Sequence, residues 1–342
     1  MFSKIRTKRL FLILARILIV ALMVIAIIFS GKFTSFMYGY GLVFVLLGGV
    51  ALALVGFSVP EIGAAFKHAA GVPGHGEEIR KSALFWESSA RNVLMLGVLG
   101  SIINLVVALS DSQGGLTGIA SRMAISFITT VYGMILGVIF FVPAWKLTEE
   151  LHNQPLEEAP ETLEKPTQRA IVTLRFENII GYILFITIIS WTIFKPSLSI
   201  SSPQFEPWEW IIYWPSLLVV VGGTIALVLF VNKAAAGRTF TLGFALTGLI
   251  GSLMGFVQVL ISFASRSIQD VASAVTFIIS SCFVALLGMM LVGAPLEDRM
   301  VKAGRIEKHS ALSRVAWYVF PLVALIFLVL TFVVVITPMK KG

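Results

Sequence analysis

The chain has 342 residues, of which 57% are hydrophobic and only 13% are charged, and its mean hydropathy is +0.94. A soluble core does not require so many apolar residues, so the composition excludes an ordinary soluble globular protein and indicates a polytopic membrane protein. The formal net charge of +8 is mostly a signal of membrane topology, and we expect no nucleic-acid binding.

Nine apolar stretches are long enough to cross about 30 Å of hydrocarbon. None shows the alternation of a barrel strand, so all nine are predicted to be helices. The predicted spans are roughly 10–30, 36–60, 88–110, 119–144, 174–194, 211–232, 239–263, 271–296 and 315–338. The first resembles a signal peptide, but its apolar run is long and no clear small-residue cleavage site follows. We interpret it as an uncleaved span.

The basic residues predict the orientation of these spans. With the N-terminus in the cytoplasm, nineteen of the 26 Lys and Arg residues lie in cytoplasmic segments, six lie on the opposite side, and Arg16 lies inside the first span. Basic residues concentrate in cytoplasmic loops. The sequence therefore predicts a cytoplasmic N-terminus and a C-terminus on the other side of the membrane.

The sequence contains an internal duplication. A shift of 151 residues aligns GVLGSIINLVVAL (97–109) with GLIGSLMGFVQVL (248–260), and also TTVYGMILG (129–137) with SSCFVALLG (280–288). Upstream, VLLGGVALAL (45–54) aligns with LVVVGGTIALVL (218–229) at a shift of 174. Each half thus holds four spans in the same order, which predicts parallel repeats.

The predicted fold class is therefore all-α: a polytopic membrane helix bundle of about nine transmembrane helices, with two parallel four-helix repeats and one C-terminal helix. The first repeat is assigned to 1–147 and the second to 171–300. Between them, 148–170 mixes acidic residues with three prolines and is predicted to be an exposed cytoplasmic linker. Residues 301–342 are predicted to hold the additional C-terminal transmembrane helix.

Small and polar residues form stripes on the third and fourth spans, because residues at i, i+4, i+7 and i+11 share one helical face. The fourth-span stripe is Ser126, Thr130, Gly133 and Gly137, and the third-span stripe is Gly97, Ser101, Asn104 and Ala108. One interpretation is close helix packing. The other is an ion path, because an amide such as Asn104 or Gln258 at membrane depth costs on the order of a few kcal/mol unless it is satisfied.

No Asp, Glu, Lys or His lies in the central part of any predicted span. A proton-coupled machine needs a titratable group at that depth. Either the chain carries no protons, or the carboxylate arrives on another polypeptide. The four histidines are scattered among loops without a ligand cluster, and the single cysteine, Cys282, excludes an internal disulfide, so we expect no metal site.

The sequence resembles the MotA/TolQ/ExbB proton-channel family. Its glycine-containing third span and TTVYG fourth span are similar to the family's characteristic pair, and WPSLLVVVGGTIAL (214–227) is similar to the second span of flagellar stator MotA proteins. The resembling motifs cover roughly 35–145 and 180–297.

The resemblance implies a bacterial inner-membrane subunit of an ion-motive-force-driven stator or energiser complex. Such a subunit lines a proton or sodium path around the aspartate of a separate single-span MotB/ExbD/TolR-like partner. The resemblance also implies a homo-oligomer in the lipid bilayer, without a cofactor and without enzymatic activity. The family generally assembles as a ring of five identical subunits, but a fused pair cannot tile an odd ring with complete chains.

The residues implied to line the path are Thr129, Thr130, Ser126, Ser101, Asn104, Ser280, Ser281, Ser252 and Gln258. The glycines predicted to pack helices are Gly97, Gly100, Gly133, Gly137, Gly248, Gly251 and Gly288. Two alternatives stay open on the sequence alone. One is a self-sufficient transporter for a small solute, and the other is a non-transporting membrane scaffold.

Overall fold

The structure is a computed structural model that describes residues 39–74, 76–110, 115–153, 176–199, 212–229, 236–265, 268–302, 316–326 and 329–330. These residues form nine helices and no strand. The helices are α1 Gly39–Gly56, α2 Val59–Ala69, α3 Gly76–Ser110, α4 Gly115–Asn153, α5 Phe176–Ser199, α6 Trp214–Leu229, α7 Ala236–Ser265, α8 Ile268–Lys302 and α9 Ala316–Ile326. Helix α6 contains a π segment at Leu218–Gly222, and α8 contains one at Met289–Gly293.

Six of these helices, α1, α3, α4, α5, α7 and α8, are long and apolar enough to cross a membrane by length and composition. Helices α6 and α9 are apolar but shorter. Eight of the nine predicted spans fall on described helices in the predicted order, and the predicted span 10–30 lies outside the described residues. The all-helical class is confirmed for the described part of the chain, while the count of nine spans stays a prediction.

The segment between the second and third predicted spans is helical rather than a loop. Helix α3 already begins at Gly76, and α2 precedes it. The backbone N–H of Ser58 donates to Glu61 Oε2 at 2.8 Å and caps the start of α2. The Trp86 Nε1–H of α3 donates to the Ala65 carbonyl of α2 at 3.1 Å. This bond fixes α2 on the N-terminal part of α3, before the long apolar part of α3 begins.

Two helix pairs dominate the packing: α3 with α4, and α7 with α8. Helix α1 lies against α3, where a Cβ on Gly48 would meet the Leu96 side chain. Helix α5 packs on α1, since a Cβ on Gly181 would lie 2.8 Å from the Ala51 carbonyl oxygen. The first described helix of the predicted second half therefore packs on the first half.

The end of α8 is tied to the corner between α1 and α2. Lys302 Nζ lies 3.0 Å from Glu61 Oε2, donates to the Gly56 carbonyl at 2.9 Å, and lies 3.8 Å from the centroid of the Phe57 ring. Partial burial raises the pKa of the Glu61 carboxyl, but the Ser58 amide and the Lys302 ammonium together lower that pKa below its ordinary value of 4.5.

Because the pKa of Glu61 is lower in the folded protein, its ionised form stabilises this corner at neutral pH. That stabilisation is lost as the pH falls below 4.5 and through the lowered pKa. Hydrogen exchange, corrected for the intrinsic rate at each pH, should show the amides of α2 losing protection over this range. A Glu61→Gln variant should be less protected at pH 7 and should show no such transition. An identical transition in that variant would assign the effect to another group.

Candidate functional site

The hydroxyl of Ser101 in α3 reaches the backbone of α4. Ser101 Oγ accepts from the Thr130 N–H at 3.1 Å and donates to the Ser126 carbonyl at 2.6 Å. The Thr130 N–H and the Ser126 carbonyl stand four residues apart in α4, the spacing of the backbone hydrogen bond of an α-helix. Thr130 Oγ1 lies 2.7 Å from Ser101 Oγ, and all three residues are at most 3% exposed. Their mutual hydrogen bonds join the two helices in an apolar interior.

The Asn104 amide extends this network towards its edge. Its Nδ2–H donates to Thr129 Oγ1 at 3.0 Å. Thr129 is fully buried, whereas Asn104 is only partly buried. The structure thus brings all five first-half candidates into one group, here called the α3–α4 polar cluster: Ser101, Asn104, Ser126, Thr129 and Thr130. Its accessible edge is the side chain of Asn104.

Glycines allow α3 and α4 to approach each other closely at this cluster. A Cβ on Gly97 would lie 2.9 Å from both Gly133 Cα and the Thr129 carbonyl oxygen, and a Cβ on Gly100 would lie 2.6 Å from Thr129 Cγ2. Real Cβ atoms do not approach backbone atoms this closely. Gly137 is less constrained, since its nearest neighbour would be the Ala90 carbonyl oxygen at 3.4 Å.

The four second-half candidates do not form a matching cluster. Ser280 Oγ accepts from the Tyr213 N–H at 3.0 Å and from the Ser216 hydroxyl, so Ser280 faces α6. Ser252 Oγ donates to the Gly248 carbonyl at 2.7 Å. Ser281 is fully buried, and its hydroxyl has no hydrogen-bond partner among the described residues. Gln258 lies on an exposed face of α7.

A difference in helix register separates the two hairpins. In the α3–α4 hairpin the close pairs are Gly97 with Gly133, Gly100 with Thr129, and Ser101 with Thr130. In the α7–α8 hairpin they are Gly248 with Ala285, Gly251 with Ser281, and Ser252 with Cys282. Each α8 partner stands one residue beyond the position that the shift of 151 predicts. Consequently a cysteine, at 3.1 Å, takes the place opposite the α7 serine that a threonine takes in α4.

Sequence reasoning missed a second polar group, here called the charged cluster and formed by Ser88, Arg91, Thr241, Glu297, Asp298 and Trp317. Arg91 Nη2 lies 3.0 and 3.2 Å from the two Asp298 carboxylate oxygens. Ser88 Oγ donates to Asp298 Oδ2 at 2.7 Å. The side chains of Arg91 and Asp298 are only 3% and 2% exposed. This ion pair joins α3 of the predicted first half to α8 of the second.

The rest of the cluster surrounds Glu297 and the guanidinium. Trp317 Nε1–H donates to Glu297 Oε2 at 3.0 Å, and the Thr241 hydroxyl donates to the same oxygen at 3.2 Å. The Arg91 guanidinium carbon lies 4.1 Å from the centroid of the Trp317 ring, within the range of a cation–π contact. The charged cluster therefore connects α3, α7, α8 and α9. No group of three or more side chains suited to a metal ion occurs in the described ranges.

In comparisons with known proteins, part of the chain matches the model of one protein family. Residues 71–158 match the model of the MotA/TolQ/ExbB proton channel family. The match covers roughly a quarter of the chain and contains the whole α3–α4 polar cluster. No curated protein and no solved structure matches the chain.

Proposed function

We propose that this chain, whose residues 71–158 carry a domain matching the MotA/TolQ/ExbB proton channel family, is a membrane subunit of a complex driven by the ion-motive force. In this proposal the α3–α4 polar cluster borders the path of a proton or sodium ion. The observation that carries the proposal is the position of that cluster. Five polar residues, mostly buried, meet in the apolar part of the segment that matches the family.

The chain itself offers no carboxyl in the middle of its apolar helices. Between Asn92 and Val107 of α3, and between Ser126 and Val142 of α4, the sequence has no Asp, Glu, Lys or His. Threonine and serine hydroxyls donate and accept hydrogen bonds but do not ionise near neutral pH. We therefore propose a separate single-span partner of the MotB, ExbD or TolR kind, which brings an acidic side chain to this depth.

The candidates differ in the support they receive. Asn104 forms the accessible edge of the cluster and donates to the buried Thr129 hydroxyl, so Asn104 is the first choice for contact with a partner's carboxyl and Thr129 is the residue directly behind it. Ser101, Ser126 and Thr130 satisfy one another's hydrogen bonds and are better placed to hold α3 and α4 together. The second-half candidates, Ser280, Ser281, Ser252 and Gln258, have less support because they do not share one cluster.

The remaining assignments are part of the same proposal. They comprise a bacterial inner-membrane location, a cytoplasmic N-terminus, a C-terminus on the other side, and the division into 1–147, 148–170, 171–300 and 301–342. The predicted bias of the basic residues supports the orientation. The proposal includes no enzymatic activity and no cofactor.

Purification from the native membrane tests the partner. The full chain, isolated in mild detergent, should carry a protein with a single apolar span that contains an aspartate or glutamate. Mass spectrometry of the purified complex identifies that protein. Repeated purification without such a protein would contradict the proposal.

Ion flux through the purified complex tests the site. Thr129→Val keeps the shape of the side chain but removes the acceptor of the Asn104 hydrogen bond. We expect a severalfold lower rate of proton uptake into vesicles that hold the complex, read with a pH-sensitive dye. Thr187→Val is the matched control, since Thr187 also loses one hydrogen bond but lies exposed on α5. Equal rates in both variants would remove Thr129 from the path.

A membrane scaffold is the second candidate function, and one observation favours it. The hydroxyls of Ser101 and Thr130 are fully engaged in joining α3 to α4, as close packing requires. If the purified complex conducts no ions but Thr129→Val lowers its melting temperature, the scaffold is the better description.

A further inference from the structure

Helix α2 crosses α3 at a steep angle. Phe57, just before α2, packs its ring on Phe85 of α3 with 5.2 Å between the ring centroids. Near the other end of α2, His68 Nδ1 lies 2.8 Å from Ser82 Oγ of α3. Phe57 and His68 are eleven residues apart, roughly 16 Å along a helix, whereas Phe85 and Ser82 are separated by about 4.5 Å along α3. Helix α2 therefore runs across α3 rather than along it.

The two ends of α2 are bound to two further helices. Glu61, in the first turn, lies 3.0 Å from the ammonium of Lys302 at the end of α8. The carbonyl of Ala69, the last residue of α2, accepts from Lys146 Nζ of α4 at 3.1 Å. Because α3, α4 and α8 are each long and apolar enough to cross a membrane, a helix that lies across all three runs roughly parallel to the membrane plane.

The level of α2 coincides with the boundary between the charged and the apolar parts of α3. Residues 77–81 of α3 include two acidic and two basic residues, and the predicted span begins at residue 88. Helix α2 contacts α3 between these two parts, at Ser82 and Trp86. Phospholipid headgroups meet acyl chains at such a boundary, which is the depth at which amphipathic helices lie in the membrane plane.

Helix α2 is amphipathic, with one apolar face that is exposed. Val59 and Phe66 stand seven residues apart, so they share one face of the helix. Their side chains are 57% and 56% exposed. The side of α2 towards α3 is covered, since Ala65 and His68 are 0% and 7% exposed.

The exposed face points towards the apolar part of α3. The ring of Phe66 packs on Trp86 with 4.8 Å between the centroids. His68, about 200° further round α2, reaches Ser82, one turn closer to the start of α3. Phe66 and Val59 are therefore on the membrane side of α2. Lys67 is exposed next to Phe66, on the flank between the apolar face and the side that His68 occupies.

We propose that α2 lies flat in the membrane surface at which α3 begins, with Val59 and Phe66 inserted among the phospholipid chains and the Lys67 ammonium at the headgroup phosphates. Insertion removes both apolar side chains from water, and a lysine at the flank of such a face can reach the phosphates with its flexible stem. In the orientation proposed above, this surface is the cytoplasmic leaflet. The inference goes beyond the proposed function, because it requires only that α3 spans the membrane.

Spin labels can test this contact in the full chain, in a Cys282→Ser background, reconstituted in nanodiscs of phosphatidylcholine and phosphatidylglycerol. Oxygen concentrates among acyl chains and a nickel chelate stays in water, so the ratio of their collision rates reports immersion. This ratio should be severalfold higher for labels at Phe66→Cys and Val59→Cys than for a label at Glu78→Cys. Glu78 is the matched control, because it is exposed one turn before Ser82, in the charged part of α3.

Two results would overturn the proposal in a labelled chain that keeps the parent's melting temperature. A ratio as low as that at Glu78 would place the α2 face in water, and low access to both reagents would show that protein covers the face. Two label positions are used so that one decides if the other disturbs folding. Since the measurement involves no ion flux, its failure leaves the proposed function to its own tests.

Charge reversal at Lys67 tests the headgroup contact separately. Lys67→Glu places a carboxylate against anionic phosphates, and negatively charged lipid surfaces attract basic side chains and repel acidic ones. We expect a severalfold lower oxygen-to-nickel ratio for the label at position 66 in this variant. An unchanged ratio would show that Lys67 does not bind the headgroups.

Discussion

Replacing Asp298 by alanine is expected to lower the free energy of unfolding by about 3–5 kcal/mol, the range for a buried ion pair that loses one partner. Arg91 would keep its charge at a position that is 2% exposed. The Ser88 hydroxyl would lose its acceptor as well. Removal of the carboxylate also breaks a direct link between the two predicted halves. Thermal unfolding of the chain in nanodiscs measures the effect.

An exposed ion pair of similar geometry provides the control. Glu77 lies 2.8 Å from Arg80, but its side chain is 55% exposed. Glu77→Ala should cost less than about 1 kcal/mol, because water screens that pair. The double variant Arg91→Met with Asp298→Leu should be more stable than Asp298→Ala, since it leaves no unpaired charge at the Arg91–Asp298 site. If Asp298→Ala and Glu77→Ala unfold at the same temperature, burial does not determine the strength of this pair.

The positions of the apolar helices could be predicted from the sequence, because each is a continuous apolar run. The corner at α2 was missed, although Ser58, Pro60 and Glu61 form a recognisable helix start. Apolar periodicity alone did not reveal it, since α2 is short and its Phe66 and Val59 are exposed. Capping residues were the signal that could have identified this helix.

The α3–α4 polar cluster and the charged cluster were predictable from the sequence to different degrees. Stripe spacing placed Ser101 and Thr130 on facing sides of α3 and α4, so their contact follows from local periodicity. The charged cluster joins residues that lie more than two hundred positions apart in the sequence, and local pattern cannot give that pairing. Arg91 was assigned only a topological role, and Glu297 and Asp298 were placed just beyond a predicted span. The available signal for this cluster was the pair of adjacent acidic residues, Glu297 and Asp298, at the end of a long apolar run.

The α7–α8 hairpin shows why a sequence alignment does not transfer a site. At the shift of 151 residues, Ser281 aligns with Thr130 and should meet Ser252. The observed pairing is displaced by one residue, so Ser252 meets Cys282 instead. A rotation of about 100° per residue is enough to change which side chain faces the neighbouring helix. Hydroxyls at aligned positions therefore need not form aligned networks.

Replacing Gly97 by alanine is expected to disrupt the α3–α4 polar cluster with a single methyl group. The new Cβ would lie 2.9 Å from Gly133 Cα and from the Thr129 carbonyl oxygen. Both are backbone atoms, so no rotamer change relieves the overlap, and α4 must move away. We expect a cost of about 1–3 kcal/mol in the free energy of unfolding, typical of an overpacked interior. Displacement of α4 also lengthens the bonds from Ser101, so ion flux through the complex should fall with stability.

Gly63→Ala is the matched control, because a Cβ on Gly63 in α2 meets nothing within 4 Å. This change should be neutral or slightly stabilising, since alanine favours the helix over glycine. Gly133→Ala should match Gly97→Ala, as its Cβ would meet the Val93 carbonyl oxygen at 2.7 Å. The separation of α3 and α4 can be measured by electron paramagnetic resonance between spin labels on the two helices. If Gly97→Ala leaves that distance, the melting temperature and the flux unchanged, close contact at Gly97 does not hold the cluster together.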